Sequence, residues 1–170
     1  MKRLVSVVLA VIMVLAMSSS VFAAGTSSES AQKIALKNAK LTKAQVKNLK
    51  VKYDYDDREY DVKFIRKKDG AKFSYEIRKS SGRIYDKSVD YKYKRNSSKK
   101  KIGKLAAQKK AAKKAGVSLA AVKKGKCKYE YDDGEGTYEV EFRNGKYKYE
   151  VDILAPTGKV IDYSWEYKGR

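Results

Sequence analysis

The chain has 170 residues, forty of them Lys or Arg against twenty Asp or Glu, for a formal charge of +20, and it contains one cysteine and no histidine. A single thiol excludes an intramolecular disulfide framework. The lack of histidine removes the commonest general base and transition-metal ligand, so most hydrolase mechanisms are closed to this sequence.

The N-terminus sets the expected compartment. Met1-Lys2-Arg3 is a basic start, Leu4 to Met17 is an almost unbroken apolar run, and Ser18 to Ser20 break it. The run falls short of the roughly 20 residues a membrane-spanning helix needs. Val21-Phe22-Ala23 has the small-x-small form of a signal peptidase site, so residues 1–23 read as a signal peptide cleaved near Ala23, the alternative being an uncleaved anchor. Without Lys2 and Arg3 thirty-eight basic residues face twenty acidic ones, a charge of about +18. That field attracts polyanions such as acidic wall polymers, anionic lipid or nucleic acid, and the plain alternative is solubility.

From residue 31 onward the chain repeats itself. Ala31-Gln32-Lys33 recurs as Ala107-Gln108-Lys109 and Tyr55-Asp56-Asp57 as Tyr131-Asp132-Asp133, an offset of seventy-six. The offset becomes seventy-eight at Tyr60, Val62 and Phe64, matched by Tyr138, Val140 and Phe142, and returns by Gly82 and Gly158. The spacing divides the chain into repeat 1 over 24–91, a basic linker over 92–101 and repeat 2 over 102–170.

In each repeat a helical period gives way to alternation. Ser28 or Ser30 is expected to cap a helix burying Ala31, Ile34, Ala35 and Ala39, with Leu105, Ala107, Ala111, Ala112 and Ala115 doing the same in repeat 2. Thr42 and Ser118 mark a second short helical turn. Val51, Tyr53 and Tyr55, then Tyr60, Val62 and Phe64, then Phe73, Tyr75 and Ile77 alternate with polar residues. Cys127, Tyr129 and Tyr131, then Tyr138, Val140 and Phe142, then Tyr147, Tyr149 and Val151 repeat the pattern. Such alternation predicts antiparallel strands with one wet face, and Asp69-Gly70, Asp133-Gly134 and Asn144-Gly145 supply hairpin turns. The expected class is α+β: two tandem repeats, each a helix plus a short second helix packed on one face of an antiparallel sheet of about four strands.

The helix at Ala31 to Ala39, the hairpin segment YEVEF at 138–142 with its counterpart YDVKF at 60–64, and the closing YEVDILAPTGKVIDY at 149–163 together resemble the PepSY family, in two copies. Two positions depart from the pattern: Lys110 stands where repeat 1 has Ile34, and Lys79-Ser80-Ser81 replaces the usual acidic turn. The resemblance implies an exported regulatory module related to propeptides of thermolysin-like metallopeptidases, with a secreted peptidase or an envelope protein as partner. It carries over no catalytic residue, and no cofactor or metal is expected.

Other motifs favour structural roles. Asp56-Asp57 and Asp132-Asp133 read as turn residues rather than paired carboxylates, and neither completes a calcium loop. Cys127 takes the place of Val51 and reads as a buried thiol. Ser97 to Lys100 and Ser98 to Lys101 match a Ser-x-x-Lys pattern without its companion motifs. Alternation sets the Tyr and Lys of 72–75 and 146–149 on opposite faces, which argues against stacking platforms for nucleic acid. The candidate polyanion-binding set is Lys99, Lys100, Lys101, Lys104, Lys109, Lys110, Lys113 and Lys114, continued by Lys123, Lys124 and Lys126.

Overall fold

A computed structural model describes residues 25–169; the expected signal peptide over 1–23 lies outside the described residues. In order come α1 (Ser28–Ala39), a 3-10 turn (Lys43–Gln45), β1 (Val46–Asp54), β2 (Glu59–Arg66), β3 (Lys72–Arg78) and β4 (Ile84–Asp90). Then follow α2 (Lys104–Ala115), α3 (Leu119–Lys123), β5 (Lys126–Asp132), β6 (Glu135–Asn144), β7 (Tyr147–Leu154) and β8 (Lys159–Tyr167). None of the helices among the described residues is long and apolar enough to cross a membrane.

The strands form one eight-stranded antiparallel sheet in the order β1-β2-β3-β4-β8-β7-β6-β5. The expected separate sheets of about four strands are thus joined at a seam, where β4 pairs with β8 from Asp86 opposite Glu166 to Asp90 opposite Asp162. The reason is the free edge that a meander leaves: the last strand of each presents unpaired N–H and C=O groups, and two such edges satisfy one another.

α1 packs over β1 and β2, and α2 over β5 to β8. Ala31 and Ala35 on α1 and Ala107 and Ala111 on α2 are fully buried, small residues that let each helix lie close to the sheet. Beneath them Tyr60, Val62, Phe64, Tyr75, Ile77, Tyr138, Val140, Phe142, Val151 and Ile153 form one core that crosses the seam through Val89 and Tyr163. Phe64 stacks on Phe73 at 5.1 Å and Phe142 on Tyr149 at 5.0 Å.

Corresponding contacts recur in the two halves. The Thr26 N–H donates to the Lys79 carbonyl, and the Ile102 N–H to that of Ala155. The register of β3 on β4 slips between Glu76 and Ile77, and that of β7 on β8 between Asp152 and Ile153. Gly82, at φ 65°, lies where a Cβ would stand 3.2 Å from Ile34 Cδ1; at Gly158, φ 70°, a Cβ would stand 3.3 Å from Lys110 Cε. The methylene stem of Lys110 therefore fills the place of Ile34 while its charge stays in water.

Several expectations are corrected. Ser27, not Ser28 or Ser30, caps α1, accepting from the Ser30 N–H at 3.1 Å. Ser118 does cap α3. Leu105 is exposed because it lies two residues, about 200° of helical turn, from the inward Ala107. Tyr55 is exposed because it falls past the end of β1, and Tyr131 because it stands opposite Gly136, which has no side chain to cover it. Cys127 is half-buried rather than enclosed.

Because the core and the sheet run through the seam, we expect one unfolding transition. Ile77→Ala and Ile153→Ala, both at fully buried positions in different halves, should each cost about 2–5 kcal/mol. Calorimetry should show each moving the whole transition rather than splitting it in two.

Candidate functional site: an acidic face on the open side of the sheet

The helices cover one side of the sheet. On the other side strand register arranges the polar half of the alternation into rows. One row runs Asp61, Glu76, Asp86, Glu166, each directly opposite the next across β2, β3, β4 and β8. A second runs Glu139, Asp152, Asp162, Asp90 across β6, β7, β8 and β4. Between them lie Ser74, Ser88 and Ser164, followed by Glu150 and Glu141. At ordinary strand spacing each four-acid row is about 14 Å long, and the rows lie about 13 Å apart. Ten of the chain's twenty acids thus stand in these rows, in a protein whose net charge is +20.

The rim of this face is neutralised and its centre is not. Lys72 pairs with Asp90 at 3.0 Å, Arg78 with Glu59 at 2.9 Å, Lys148 with Glu141 at 2.9 Å, Lys63 with Asp61 at 4.0 Å, and Lys168 with Glu166. Among the described residues Glu76, Asp86, Glu139, Glu150, Asp152 and Asp162 have no cation within ion-pair distance, and Asp152 Oδ1 is buried without a hydrogen-bond partner. Like charges directly opposite one another destabilise a sheet. Burial, and then Glu76 and Glu166, push Asp86 up to about 6. Burial, then Asp162 and Glu150, do the same to Asp152, and burial, then Asp90 and Glu150, to Asp162. Glu76 and Glu139 are raised by burial and by neighbouring carboxylates.

On the helical side the predicted lysines separate. Lys99, Lys100, Lys104, Lys109 and Lys113 are exposed, the last two one helical turn apart on α2. Lys101 and Lys110 are exposed as well, but Lys101 lies over the Tyr129 ring at 3.6 Å and the Lys110 stem lies along Gly158. Lys114 sits over Tyr91 and Tyr163 and donates to the Tyr91 hydroxyl. Lys123, Lys124 and Lys126 are exposed beyond α2. The basic linker is tied down: the Tyr93 hydroxyl donates to Glu135 at 2.6 Å, the Asn96 N–H to the same buried carboxylate at 3.0 Å, and Lys159 to the Lys92 carbonyl.

The remaining motifs stay structural in their surroundings. Asp56, Asp57, Asp132 and Asp133 are exposed, with the Asp54 carboxylate accepting from the Asp56 N–H. No group of acids or thiol suited to a metal occurs among the described residues. Burial pushes the Cys127 thiol up, away from the reactive thiolate. The Ser98 N–H donates to Asn96 Oδ1 and the Ser98 hydroxyl accepts from the Lys100 N–H, in an exposed stretch.

Residues 102–163 match the sequence profile of the PepSY family, described as "Peptidase propeptide and YPEB domain". One PepSY domain thus occupies most of the second half. No curated protein matches the chain in sequence. Among solved structures the chain is similar to the Bacillus megaterium YpeB C-terminal domain, at 15% identity and a TM-score of 0.48 over 85% of this chain, and spans 64% of that chain. It is also similar to a DUF2874 family protein from Bacteroides uniformis ATCC 8492, at 15% identity and a TM-score of 0.29, covering 77% of this chain and 84% of that one.

The raised carboxylates fix the sign of a pH dependence. An Asp that titrates near 3.9 unfolded and about 6 folded is bound to its proton more tightly in the folded state. Its stabilising contribution is complete below about pH 4 and is lost as pH rises through 6. The carboxylates held low, Glu29, Asp69 and Glu141, stay ionised above pH 5 and do not reverse the trend. Melting temperature should therefore rise as pH falls from 7 to 5, and Asp86→Asn with Asp162→Asn should raise it at pH 7 and flatten the slope.

Proposed function

We propose that the chain is an exported, non-catalytic regulator that docks a basic segment of a partner protein on the open sheet face. The observation that carries this reading is the pair of acid rows with unpaired centres, an arrangement that costs stability in the free protein and is relieved by a cationic partner. The description of the family as a peptidase propeptide domain favours a secreted peptidase, or an envelope protein, as that partner.

The first half, over residues 24–91, is in this reading a second copy of the same module, joined through residues 92–101 to the copy over 102–170. Its support is the offset of seventy-six and the recurrence of the same glycine contacts, backbone bonds and register slips. Export rests on the N-terminal apolar run and its Val21-Phe22-Ala23 site.

A second reading, retention on an acidic wall polymer or anionic membrane surface, is favoured by a separate feature, the exposed lysines of the linker and α2. The two readings use different surfaces. A chain held by Lys99, Lys100, Lys104, Lys109 and Lys113 keeps its acidic face free for the protein partner.

The test is a double dissociation on the full chain. Neutralising the face with Glu76→Gln, Asp86→Asn, Asp152→Asn and Asp162→Asn should abolish binding to, and inhibition of, a co-secreted peptidase while leaving retention on a polyanion column unchanged. Lys109→Gln with Lys113→Gln should do the reverse, eluting the protein at lower salt. Undiminished peptidase binding by the neutralised variant would contradict the docking assignment.

A further inference from the structure

Beyond the acid rows, at the end of the sheet where β4 begins, Arg78, Ser81, Arg83, Tyr85, Tyr167 and Lys168 line a concavity of about 450 Å³. Its two guanidinium groups lie over rings: Arg78 Cζ is 4.7 Å from the centre of Tyr85 and Arg83 Cζ 4.9 Å from that of Tyr167, and the two rings meet edge to face at 6.5 Å. The surrounding acids are already engaged, Glu59 with Arg78 and Glu166 with Lys168. Arg83 has no carboxylate within ion-pair distance among the described residues, and its side chain enters no hydrogen bond there.

The corresponding place in the second half is built differently. Seventy-six residues on, Arg78, Arg83 and Tyr85 become Leu154, Lys159 and Ile161; the apolar pair is buried, and Lys159 donates to the linker carbonyl of Lys92. The equivalent turn is therefore closed over by chain in one half and open, cationic and phenolic in the other.

We propose that this concavity binds a phosphoryl oxyanion, the phosphate of a wall polymer diester or of a lipid headgroup. A guanidinium presents a planar fork of donors that matches phosphate oxygens, and stacking on a ring removes much of the conformational entropy that binding would otherwise cost. The unpaired Arg83 fork and the hydroxyl-bearing Ser81, Tyr85 and Tyr167, with the Arg78 and Lys168 cations shared with Glu59 and Glu166, supply more donors than the two oxygens of a carboxylate use, which favours phosphate. This site is separate from the acid rows that carry the proposed protein docking, so either assignment stands or falls alone.

The test is calorimetric titration of the full chain with pyrophosphate, with poly(glycerol phosphate) and with phosphatidylglycerol vesicles, alongside Arg83→Gln, Arg83→Lys and, at an exposed position of α1, Lys37→Gln variants whose folding is checked by thermal melting. Arg83→Gln should weaken binding tenfold or more. Arg83→Lys, which keeps the charge and loses the fork, should weaken it several-fold, and Lys37→Gln should bind pyrophosphate as the parent does. Arg83-dependent binding of the polymer alone assigns the diester as the source, and of the vesicles alone the headgroup. If no probe binds in an Arg83-dependent way, or if Arg83→Lys binds as the parent does, the site is overturned.

Discussion

The antiparallel pairing of β4 with β8 is the constraint on which the rest of the structure depends. A unit of some sixty residues buries little more than half of its unfolded surface and is marginal alone, and a four-strand meander ends in an open edge. Pairing the two edges removes both weaknesses. It carries the core across from Val89 to Tyr163, and it aligns the polar positions of all eight strands in common rows. Without the seam, Asp86 would not stand opposite Glu166, nor Asp90 opposite Asp162, and neither acid row would reach four members.

The seam also explains how a protein with twice as many basic as acidic residues presents an acidic surface. The lysines are spent on exposed helix positions, on the linker and on rim pairs, while carboxylates collect where the sheet is open. A mean charge says nothing about such segregation. Its electrostatic cost is visible in the raised Asp86, Asp152 and Asp162, where burial and neighbouring carboxylates both favour the protonated form. The unpaired carboxylates lie at the centre of the open face, with Lys52, Lys63, Lys72, Lys128 and Lys148 around them, while the exposed lysines of the linker and α2 lie apart from it.

Much of this was legible in the residues. Alternation of apolar residues, many of them tyrosines, with charged residues located the first three strands of each half, because a half-buried sheet imposes a period of two, and the internal offset predicted the same order of elements twice. Register between distant strands was not legible. Nothing local in Ile84 to Asp90 or Lys159 to Tyr167 announces that these strands pair with each other, so two sheets were expected where one exists. The acid rows were missed for the same reason. Glu76, Asp86, Asp152 and Asp162 are each an ordinary solvent-facing residue in their own strand, and become a cluster only when the seam sets the strands side by side. The signal available beforehand was that the polar half of the alternation is acid-rich in β4, β6, β7 and β8 and lysine-rich in α2. The lysine set was read as one patch because sequence proximity does not reveal that Lys101 and Lys114 turn back onto Tyr129, Tyr91 and Tyr163.

Native-state hydrogen exchange of the backbone amides in Asp86–Asp90 and Asp162–Glu166 tests the central claim most directly. If the two meanders form one sheet, the amides that bridge β4 and β8 exchange as slowly as those between β6 and β7, through the same global opening. Fast exchange confined to the β4–β8 amides, with the inner strands of each half still protected, would show two independent sheets and contradict the account.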